Sequence, residues 1–411
     1  MVMRFLWNTI FIFFSFTAFL ITDIQSQTTE SQSWSQFRGP GGAGHVQDEF
    51  IARTPQLKLV WEKEIGSAYS ELLVRNDDLF TMSSDMIDSL HGNEYILAFN
   101  AQTGVEKWRS RIDSLYFEID GWGHGPRSTP VLHGDLIFCL SGNGKLSAHK
   151  VSDGTMLWQN DFVASFQSIR PRWGYSSSPL VVNEMLVVEV GGKENQAFMA
   201  FDLLTGKPLW NSRNGEAFYN SPLYAQIDGE PQILFASGDM LYSLKPTGDT
   251  LWTYKMPFRL LTTMPLLLGT NSIFLSGVRT PGFVIIEVDQ HKIKEIARGD
   301  HMQTDFNTAS FHKGFIYGFN VSTLRCISAI TGDLKWSKRG FGKGSQIVVN
   351  NHMVVLSDQG LLVVAEANPD VFAEKVSAQA IKGKSWTAPS YARGKVYVRN
   401  LTGMACYQMY E

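Results

Sequence analysis

The sequence predicts an all-β fold of repeated four-stranded blades, an eight-bladed β-propeller. The first observation is a glycine that is followed four residues later by a tryptophan ending an apolar run. The second is that successive tryptophans from Trp108 to Trp252 lie 50, 52 and 42 residues apart. Units of about 40–50 residues with four short strands are typical of propeller blades. The glycine–tryptophan pairs are Gly104/Trp108, Gly154/Trp158, Gly206/Trp210, Gly248/Trp252 and Gly332/Trp336.

The elements of one repeat follow a constant order. A Ser/Thr-rich step ending in proline, as in residues 128–130, precedes an apolar strand such as residues 136–140. A Gly/Asn turn, a third strand and a Thr-Gly turn lead to the strand that carries tryptophan. Glycine supplies the positive φ of a tight hairpin, and an indole at a fixed position can pack on the next blade while its N–H bonds a carbonyl. We therefore interpret these glycines and tryptophans, with Trp61, as structural. No long window has helical periodicity.

The blade count depends on three incomplete repeats. Residues 261–298 and 344–380 lack the tryptophan, and the last repeat, residues 385–411, ends after three strands. The segment 57–61 ends in Trp61 and has no three strands before it. Pairing it with the C-terminal strands closes the ring and removes open sheet edges. We therefore predict eight blades, with seven as the rival count if one degenerate repeat is only an insertion.

Composition and charge narrow the function classes. The chain of 411 residues is 44% hydrophobic, and its formal net charge is −3. No basic run with interleaved aromatic residues occurs, so we expect no nucleic-acid partner. The three cysteines do not form a disulfide framework for an exported chain, and we expect buried strand residues at these positions.

The amino-terminal region predicts export. Arg4 precedes the apolar run 5–21, and we interpret residues 1–26 as a signal peptide, with an uncleaved anchor as the alternative. Membrane association is then expected at most through an uncleaved signal. Residues 27–55 form an N-terminal extension and residues 56–411 the propeller. We expect a periplasmic or extracellular protein.

Residues 144–158 and 200–210, which contain complete third strands, turns and tryptophans, resemble the pyrroloquinoline-quinone (PQQ)-type propeller repeat. That family includes the quinoprotein alcohol dehydrogenases and the BamB-type barrel-assembly lipoprotein. The opening segment 34–40, with residues 125–130 and 173–179, looks like a secreted branch without established activity. The resemblance covers about residues 56–411 and implies the fold. It does not carry the function with it.

The resemblance also implies one enzymatic alternative, a dehydrogenase that oxidises alcohols or sugars with PQQ and calcium. Enzymes of that type place adjacent cysteines against the quinone and hold calcium with carboxylate and amide oxygens. Here no two cysteines are adjacent, and the possible oxygen ligands share no spacing. Those ligands are Glu71, Asp120, Asn220, Asp305 and Asn307.

Other catalytic motifs are absent from the sequence. It contains no zinc-ligand pattern and no nucleophile elbow, so we predict no catalytic residues, no metal and no cofactor. Residues 39–44 match G-x-G-x-x-G but lack the strand–helix context of a dinucleotide site. We interpret them as a flexible loop before the closing strand.

A candidate binding site follows from position in the repeat. In a propeller, the residues just before each first strand gather at one mouth of the central channel. Aromatic and arginine residues are enriched at this position, and such residues are favoured in binding surfaces. The predicted ligand-binding residues are Trp122, His124, Arg127, Arg172, Trp173, Tyr175, Tyr219, Asn220, Phe306, Asn307, Lys384 and Trp386. The alternative is that they only pack the connections over the channel.

These observations favour a non-catalytic binding or scaffolding module in the cell envelope, for a protein partner or a small ligand. The barrel-assembly relative serves as a scaffold for proteins, but this chain has no cysteine near the export signal for lipid attachment. A binder of carbohydrates or polyphenols fits the same aromatic residues.

Overall fold

The computed structural model describes residues 33–48, 54–260 and 262–411. The predicted signal peptide lies outside these residues. Within the described part of the chain, no helix is long and apolar enough to cross a membrane. The helical elements are a 3-10 turn, Pro40–Gly42, and the short helix α1, Phe162–Phe166.

Two strands precede the repeats, β1 (His45–Val46) and β2 (Gln56–Glu64). Four antiparallel blades follow in chain order. The first holds β3 (Leu73–Arg75), β4 (Asp78–Met86), β5 (Gly92–Asn100) and β6 (Glu106–Ser114). The second holds β7 (Val131–His133), β8 (Leu136–Leu140), β9 (Lys145–Lys150) and β10 (Met156–Asp161). The third holds β11 (Leu180–Val182), β12 (Met185–Glu189), β13 (Phe198–Asp202) and β14 (Pro208–Ser212). The fourth holds β15 (Leu223–Ile227), β16 (Glu230–Leu244) and β17 (Thr250–Leu260).

Four more blades complete the ring. The fifth holds β18 (Leu266–Leu267), β19 (Ser272–Ser276), β20 (Phe283–Asp289) and β21 (Lys292–Gly299). The sixth holds β22 (Ser310–His312), β23 (Phe315–Asn320), β24 (Thr323–Ser328) and β25 (Leu334–Lys338). The seventh holds β26 (Ser345–Val349), β27 (His352–Leu356), β28 (Leu361–Glu366) and β29 (Ala373–Gln379), and β1 pairs in parallel with β26. The eighth holds β30 (Ser390–Ala392), β31 (Lys395–Arg399), β32 (Gly403–Tyr410) and β2.

The eighth blade is composite. The N-terminal strand β2 pairs antiparallel with β32, from Gln56 opposite Tyr410 to Glu64 opposite Gly403. Both degenerate repeats form complete blades, the fifth and the seventh. The prediction of eight blades is therefore confirmed and the rival count of seven is wrong, because the repeats without tryptophan keep all four strands.

The long strand β16 contains two arms of one hairpin. Its first part pairs with β15 and its second part with β17. The Ser243 hydroxyl donates to Gln232 Oε1 at 2.5 Å although the two residues are eleven positions apart in sequence. A straight strand of that length would separate them by roughly 35 Å. The chain therefore doubles back near Gly238, whose φ is 64°, and the fourth blade follows the same path as the others.

The tryptophans of the fourth strands connect neighbouring blades. The ring of Trp158 lies against Gly206 of the next blade, where an added Cβ would approach it to 2.6 Å, and its Nε1–H donates to Leu203 O at 2.9 Å. The same ring-on-glycine contact joins Trp61 to Gly104, Trp108 to Gly154 and Trp210 to Gly248. Equivalent indole bonds run from Trp61 to Ala101 O, Trp108 to Val151 O and Trp336 to Asn368 O.

The pattern changes beside the fifth blade, which lacks both the Thr-Gly turn and the tryptophan. On the side of the fourth blade, Trp252 donates to Gln232 Oε1 of its own blade at 2.9 Å and not to the next blade. On the other side, Gly332 of the sixth blade lies against the ring of Phe283 in place of an indole.

Hydroxyl groups at the start of the first strands link the blades around the channel. The backbone N–H of Thr129 donates to Ser178 Oγ, and that of Ser178 donates to Ser221 Oγ, both at 2.9 Å. The N–H of Glu71 bonds Thr129 Oγ1 in the same way, and the N–H of Met264 bonds Thr308 Oγ1. First strands of neighbouring blades also contact each other. The Ser/Thr-Pro steps of the sequence are thus inter-blade links at the channel wall.

Candidate functional site

The N-terminal segment closes one end of the central channel. Residues 34–44, here named the channel plug, begin at Trp34, which is fully buried and pairs with Val74 of β3. Its indole Nε1–H donates to Glu71 Oε2 at 3.0 Å. Farther along the plug, Gly42 approaches Leu223 and Met264 of the fourth and fifth blades. The run 39–44 is a loop, as predicted, and it contains a 3-10 turn that packs against the fourth and fifth blades.

Arg38 is the centre of the channel plug. Its side chain is 1% exposed, and its guanidinium donates to Gln346 O and Ser310 Oγ, both at 2.9 Å. Its backbone N–H donates to Glu71 Oε2 at 2.9 Å. One arginine thus joins the first, sixth and seventh blades.

Burial shifts the pKa of Arg38 in the plug and of Glu71, which the plug contacts. It raises the pKa of Glu71 to about 7, although the nearby Arg38 charge and the bond from Trp34 act in the opposite direction. Burial also lowers the pKa of Arg38 to about 10, against the attraction of Glu71.

A cavity of ≈ 310 Å³ extends from the plug to the opposite mouth of the channel. This volume lies at the lower end of the usual range of ligand pockets, about 300–1,000 Å³. The floor is formed by the plug and the wall by residues that precede the first strands. The lining residues are Phe37, Arg38, Tyr69, Glu71, Trp122, Arg127, Trp173, Ser176, Tyr219, Ser221, Thr262, Asp305, Phe306, Asn307, Thr308, Lys343, Trp386, Thr387 and Ala388.

Trp386 is the hub of an aromatic cluster at the mouth. Its ring centroid lies 4.8 Å from that of Phe306 and 5.5 Å from that of Trp122. Tyr69 stacks on it at 6.0 Å. These rings come from the connections into four different blades, so the ring closure of the fold brings them together. A second pair, Trp173 and Tyr219, contacts at 5.2 Å.

The loop that carries Trp122 is shaped by a buried carboxylate. Glu118 accepts from the backbone N–H groups of Asp120 and Trp122, at 2.7 and 2.6 Å. Asp120 in turn accepts from the Trp173 indole at 2.9 Å and forms a bidentate pair with Arg172. These bonds hold the pKa of Asp120 below its usual value and fix the two tryptophans relative to each other.

Cationic groups accompany the aromatic cluster. The Lys384 ammonium lies 4.8 Å from the Trp386 ring centroid and 5.5 Å from that of Trp122. The Arg127 guanidinium lies between two tyrosine rings, 5.2 Å from Tyr69 and 5.4 Å from Tyr116. Cation–π contacts of this kind stabilise both partners.

The structure brings together part of the predicted site. Those predicted residues that line the cavity are Trp122, Arg127, Trp173, Tyr219, Phe306, Asn307 and Trp386. Lys384 lies at the rim, over two of the rings.

The other predicted residues have different surroundings. Tyr175 is 1% exposed and bonds Ser168, and Asn220 is buried with its amide bonded to Ala236 O. His124 packs on Phe117, and Arg172 points outward to Asp120. Position before a first strand does not distinguish side chains that turn into the core from those that turn into the channel.

Sequence reasoning missed the floor of the cavity. Phe37 and Arg38 lie outside the repeats, and no repeat position marked Glu71 as a plug contact. A usable signal was the arginine between Trp34 and the glycine-rich run, because a charged residue inside an apolar, turn-rich segment needs buried partners.

The donor set of the channel does not fit a calcium–quinone site. Cys139, Cys326 and Cys406 are buried in β8, β24 and β32 of three different blades. Among the described residues, no three His, Cys, Asp or Glu side chains cluster so that they could hold a metal ion. In the cavity, Glu71 is bonded to the plug and Asp305 is paired with Lys343.

Comparison with known proteins agrees with the architecture. The family model described as outer membrane protein assembly factor BamB matches residues 92–336, more than half of the chain. No curated protein sequence matches the chain at a significant level.

Several solved structures share the fold. BamB from Moraxella catarrhalis has a TM-score of 0.62 and 11% identity, covering 86% of this chain and 98% of that one. The quinohemoprotein alcohol dehydrogenase ADHIIG from Pseudomonas putida HK5 has a TM-score of 0.67 and 12% identity, covering 94% and 81%. The quinohemoprotein alcohol dehydrogenase from Comamonas testosteroni has a TM-score of 0.65 and 11% identity, covering 94% and 82%. At these identities the likeness concerns the fold alone, and with the match to the family model it shows that the chain belongs to the PQQ-like β-propeller family of outer membrane protein assembly factor BamB.

Proposed function

We propose that this protein is an extracytoplasmic, non-catalytic binding module whose closed-ended channel holds a small ligand or a segment of an envelope protein. The observation that carries the proposal is the asymmetry of the channel. One end is filled by the plug around Arg38, and the other opens through the aromatic cluster around Trp386. A blind cavity with mostly apolar walls and a few polar groups is typical of binding sites.

Two further observations support binding without catalysis. The carboxyl and ammonium groups of Asp305 and Lys343 bond each other, and the three cysteine thiols are buried in strands and are not among the residues that line the cavity. The family model carries the description of an assembly factor, which favours a role in holding partners.

The alternative function is a PQQ- and calcium-dependent dehydrogenase of alcohols or sugars. It is favoured by the fold likeness to quinohemoprotein alcohol dehydrogenases. The donor set of the cavity argues against it.

A titration of the purified protein with PQQ, with and without calcium, decides between the two. Trp122, Trp173 and Trp386 line the cavity, so a ligand there should change tryptophan fluorescence. We expect no saturable, calcium-dependent change and no reduction of a dye acceptor by alcohols or sugars. Saturable calcium-dependent binding with dye reduction would contradict the non-catalytic proposal.

A thermal-shift screen of metabolites and saccharides tests binding itself. Ligands of the cavity should raise the melting temperature of the wild type and not that of Trp386→Ala. The matched control is Trp336→Ala, which removes an indole from an outer strand far from the mouth. If every stabilising ligand acts equally on Trp386→Ala, the cavity is not the binding site.

The envelope location has its own test. A reporter fused after residue 26 should be exported, and the N-terminus of the secreted chain should begin near residue 27. Retention of the fusion in the cytoplasm would contradict the proposed location.

A further inference from the structure

We propose that the channel cavity binds a single saccharide ring that carries one acidic group, such as a uronate at the end of a saccharide chain. This inference rests on the proposed binding function and names its ligand class. Three sets of polar and aromatic groups support this ligand class, and they lie at the floor, at one wall and at the mouth of the cavity.

The floor holds two unsatisfied buried atoms of opposite hydrogen-bonding type. Glu71 Oε1 and Arg38 Nε have no hydrogen-bond partner among the described residues, and both side chains are 1% exposed and line the cavity. Buried polar atoms without partners are unfavourable, and each one in a folded protein requires an explanation. One of these atoms accepts and the other donates. A hydroxyl group of a ligand can do both, as a water molecule can.

The wall holds a cation, Arg127, that forms no ion pair within 4 Å among the described residues and interacts only electrostatically with the buried Glu94 carboxyl. Arg127 donates Nη2–H to Gly123 O at 2.8 Å, while its Nε has no partner. Lys343, by contrast, is neutralised by Asp305. Because guanidinium groups bind carboxylates strongly, Arg127 is the position where an acidic ligand group would bind.

The mouth favours a saccharide over a flat aromatic ligand. The Trp386 ring is tilted by 43° to both Trp122 and Phe306 and contacts both. The Trp386 ring is therefore parallel to neither of these two neighbours. Each ring can still pack one face against the C–H groups of a saccharide ring. The cavity of ≈ 310 Å³ suits one such ring, with the rest of a chain outside the mouth.

The test uses the full chain and trigalacturonate as the probe, followed by tryptophan fluorescence and calorimetry. Its methyl ester is the matched ligand, because it removes the charge and keeps the ring. We expect saturable binding of trigalacturonate and at least tenfold weaker binding of the ester.

Arg127→Met tests the wall, since it removes the charge and keeps an apolar stem between the two tyrosines. We expect it to bind trigalacturonate at least tenfold more weakly and to bind the ester as the wild type does. The control is Arg109→Met on the outer strand β6, where the arginine pairs with Glu106. Arg127→Gln is the second variant if Arg127→Met unfolds, and it should show the same loss.

The outcomes separate this inference from the function on which it rests. The proposal of an acidic ligand group is overturned if the protein binds the acid and the ester with equal affinity and Arg127→Met binds both as the wild type does. If no saccharide binds while another compound shifts the wild type and not Trp386→Ala, this inference fails and the binding function stands. Calcium-dependent binding of PQQ with dye reduction overturns both.

Discussion

The Trp34 indole donates its Nε1–H to the Glu71 carboxylate over 3.0 Å, and both side chains are buried. The same oxygen accepts the backbone N–H of Arg38 at 2.9 Å. A segment that precedes the first repeat is thereby fixed inside the ring. The N-terminal region consequently has two separate tasks, since residues 34–44 close the channel and β2 completes the eighth blade.

Two deletions separate these tasks. Removal of residues 27–65 deletes β2 and leaves β32 as an open edge, so we expect unfolding or oligomerisation. Removal of residues 27–53 keeps β2 and deletes the plug, β1 and the bonds of Asp48 to Asn350 and Gly394, so we expect a folded monomer with a lower melting temperature. Size-exclusion chromatography and thermal unfolding measure both. A monomer lacking residues 27–65 with wild-type melting would refute the composite blade.

The contact between tryptophan and glycine predicts that a single methyl group added at the glycine lowers the free energy of unfolding. In Gly206→Ala, the new Cβ would lie 2.6 Å from the Trp158 ring, at a φ of 67°. Gly229→Ala has a φ of 76° and no neighbour within 4 Å, so it measures the backbone cost alone, about 1–2 kcal/mol. Overpacking should add about 1–3 kcal/mol in Gly206→Ala. Equal denaturation midpoints for the two variants would show that the ring moves aside freely.

The hydrogen bond from Thr129 N–H to the Ser178 hydroxyl at the channel wall can be tested by substitution, with the adjacent Ser177 as the control. Ser178 Oγ accepts the N–H of Thr129, whereas the buried Ser177 Oγ has no partner among the described residues. Ser178→Ala should lower the free energy of unfolding by about 1–3 kcal/mol, because a buried N–H loses its acceptor. Ser177→Ala should leave it unchanged or raise it slightly. Chemical denaturation checks both, and equal losses would argue against the link.

Buried Glu189 predicts a pH-dependent stability. Burial raises its pKa to about 8, against the bonds from Ser237 Oγ and the Phe218 N–H. Because the folded state binds this proton more tightly than the unfolded state, stability should be greatest below about pH 4.5 with respect to this group and fall as the pH rises to about 8. The slope per group is at most about 1.4 kcal/mol per pH unit.

Glu189→Gln tests this assignment, since the neutral amide can accept from Phe218 N–H and donate to the Ser237 hydroxyl. We expect the variant to lose part of the decline between pH 5 and 8, as measured by denaturation at each pH. Glu62→Gln on the exposed part of β2 is the control. An unchanged pH profile would mean that Glu189 keeps its charge in the folded state.

The repeat itself was predictable because it is local. A Thr-Gly turn needs a positive φ, and a tryptophan four residues later needs a neighbouring surface, so the spacing from Gly206 to Trp210 indicates a blade without any long-range information. The composite blade was predictable because the last repeat lacked a fourth strand and the strand at residues 57–61 had no blade of its own.

The candidate site was predictable only in part. Trp122 and Trp386 were placed at the mouth by their position before a first strand, and they do contact each other. Tyr175 and Asn220 occupy the same kind of position but turn into the core. The direction of a side chain depends on the packing of the connection between blades, which has no period in the sequence.

By itself, the sequence determined the all-β repeat and predicted the closure by an N-terminal strand, because these follow from local turn chemistry and from the need to pair every edge. The structure decided between eight blades and seven. Only the tertiary structure decided that Arg38 and Glu71 meet inside the channel, and that Tyr69, Trp122, Phe306 and Trp386 form one cluster. Residues from four blades become neighbours only when the ring is closed. Contacts across that ring depend on the geometry of all eight blades together.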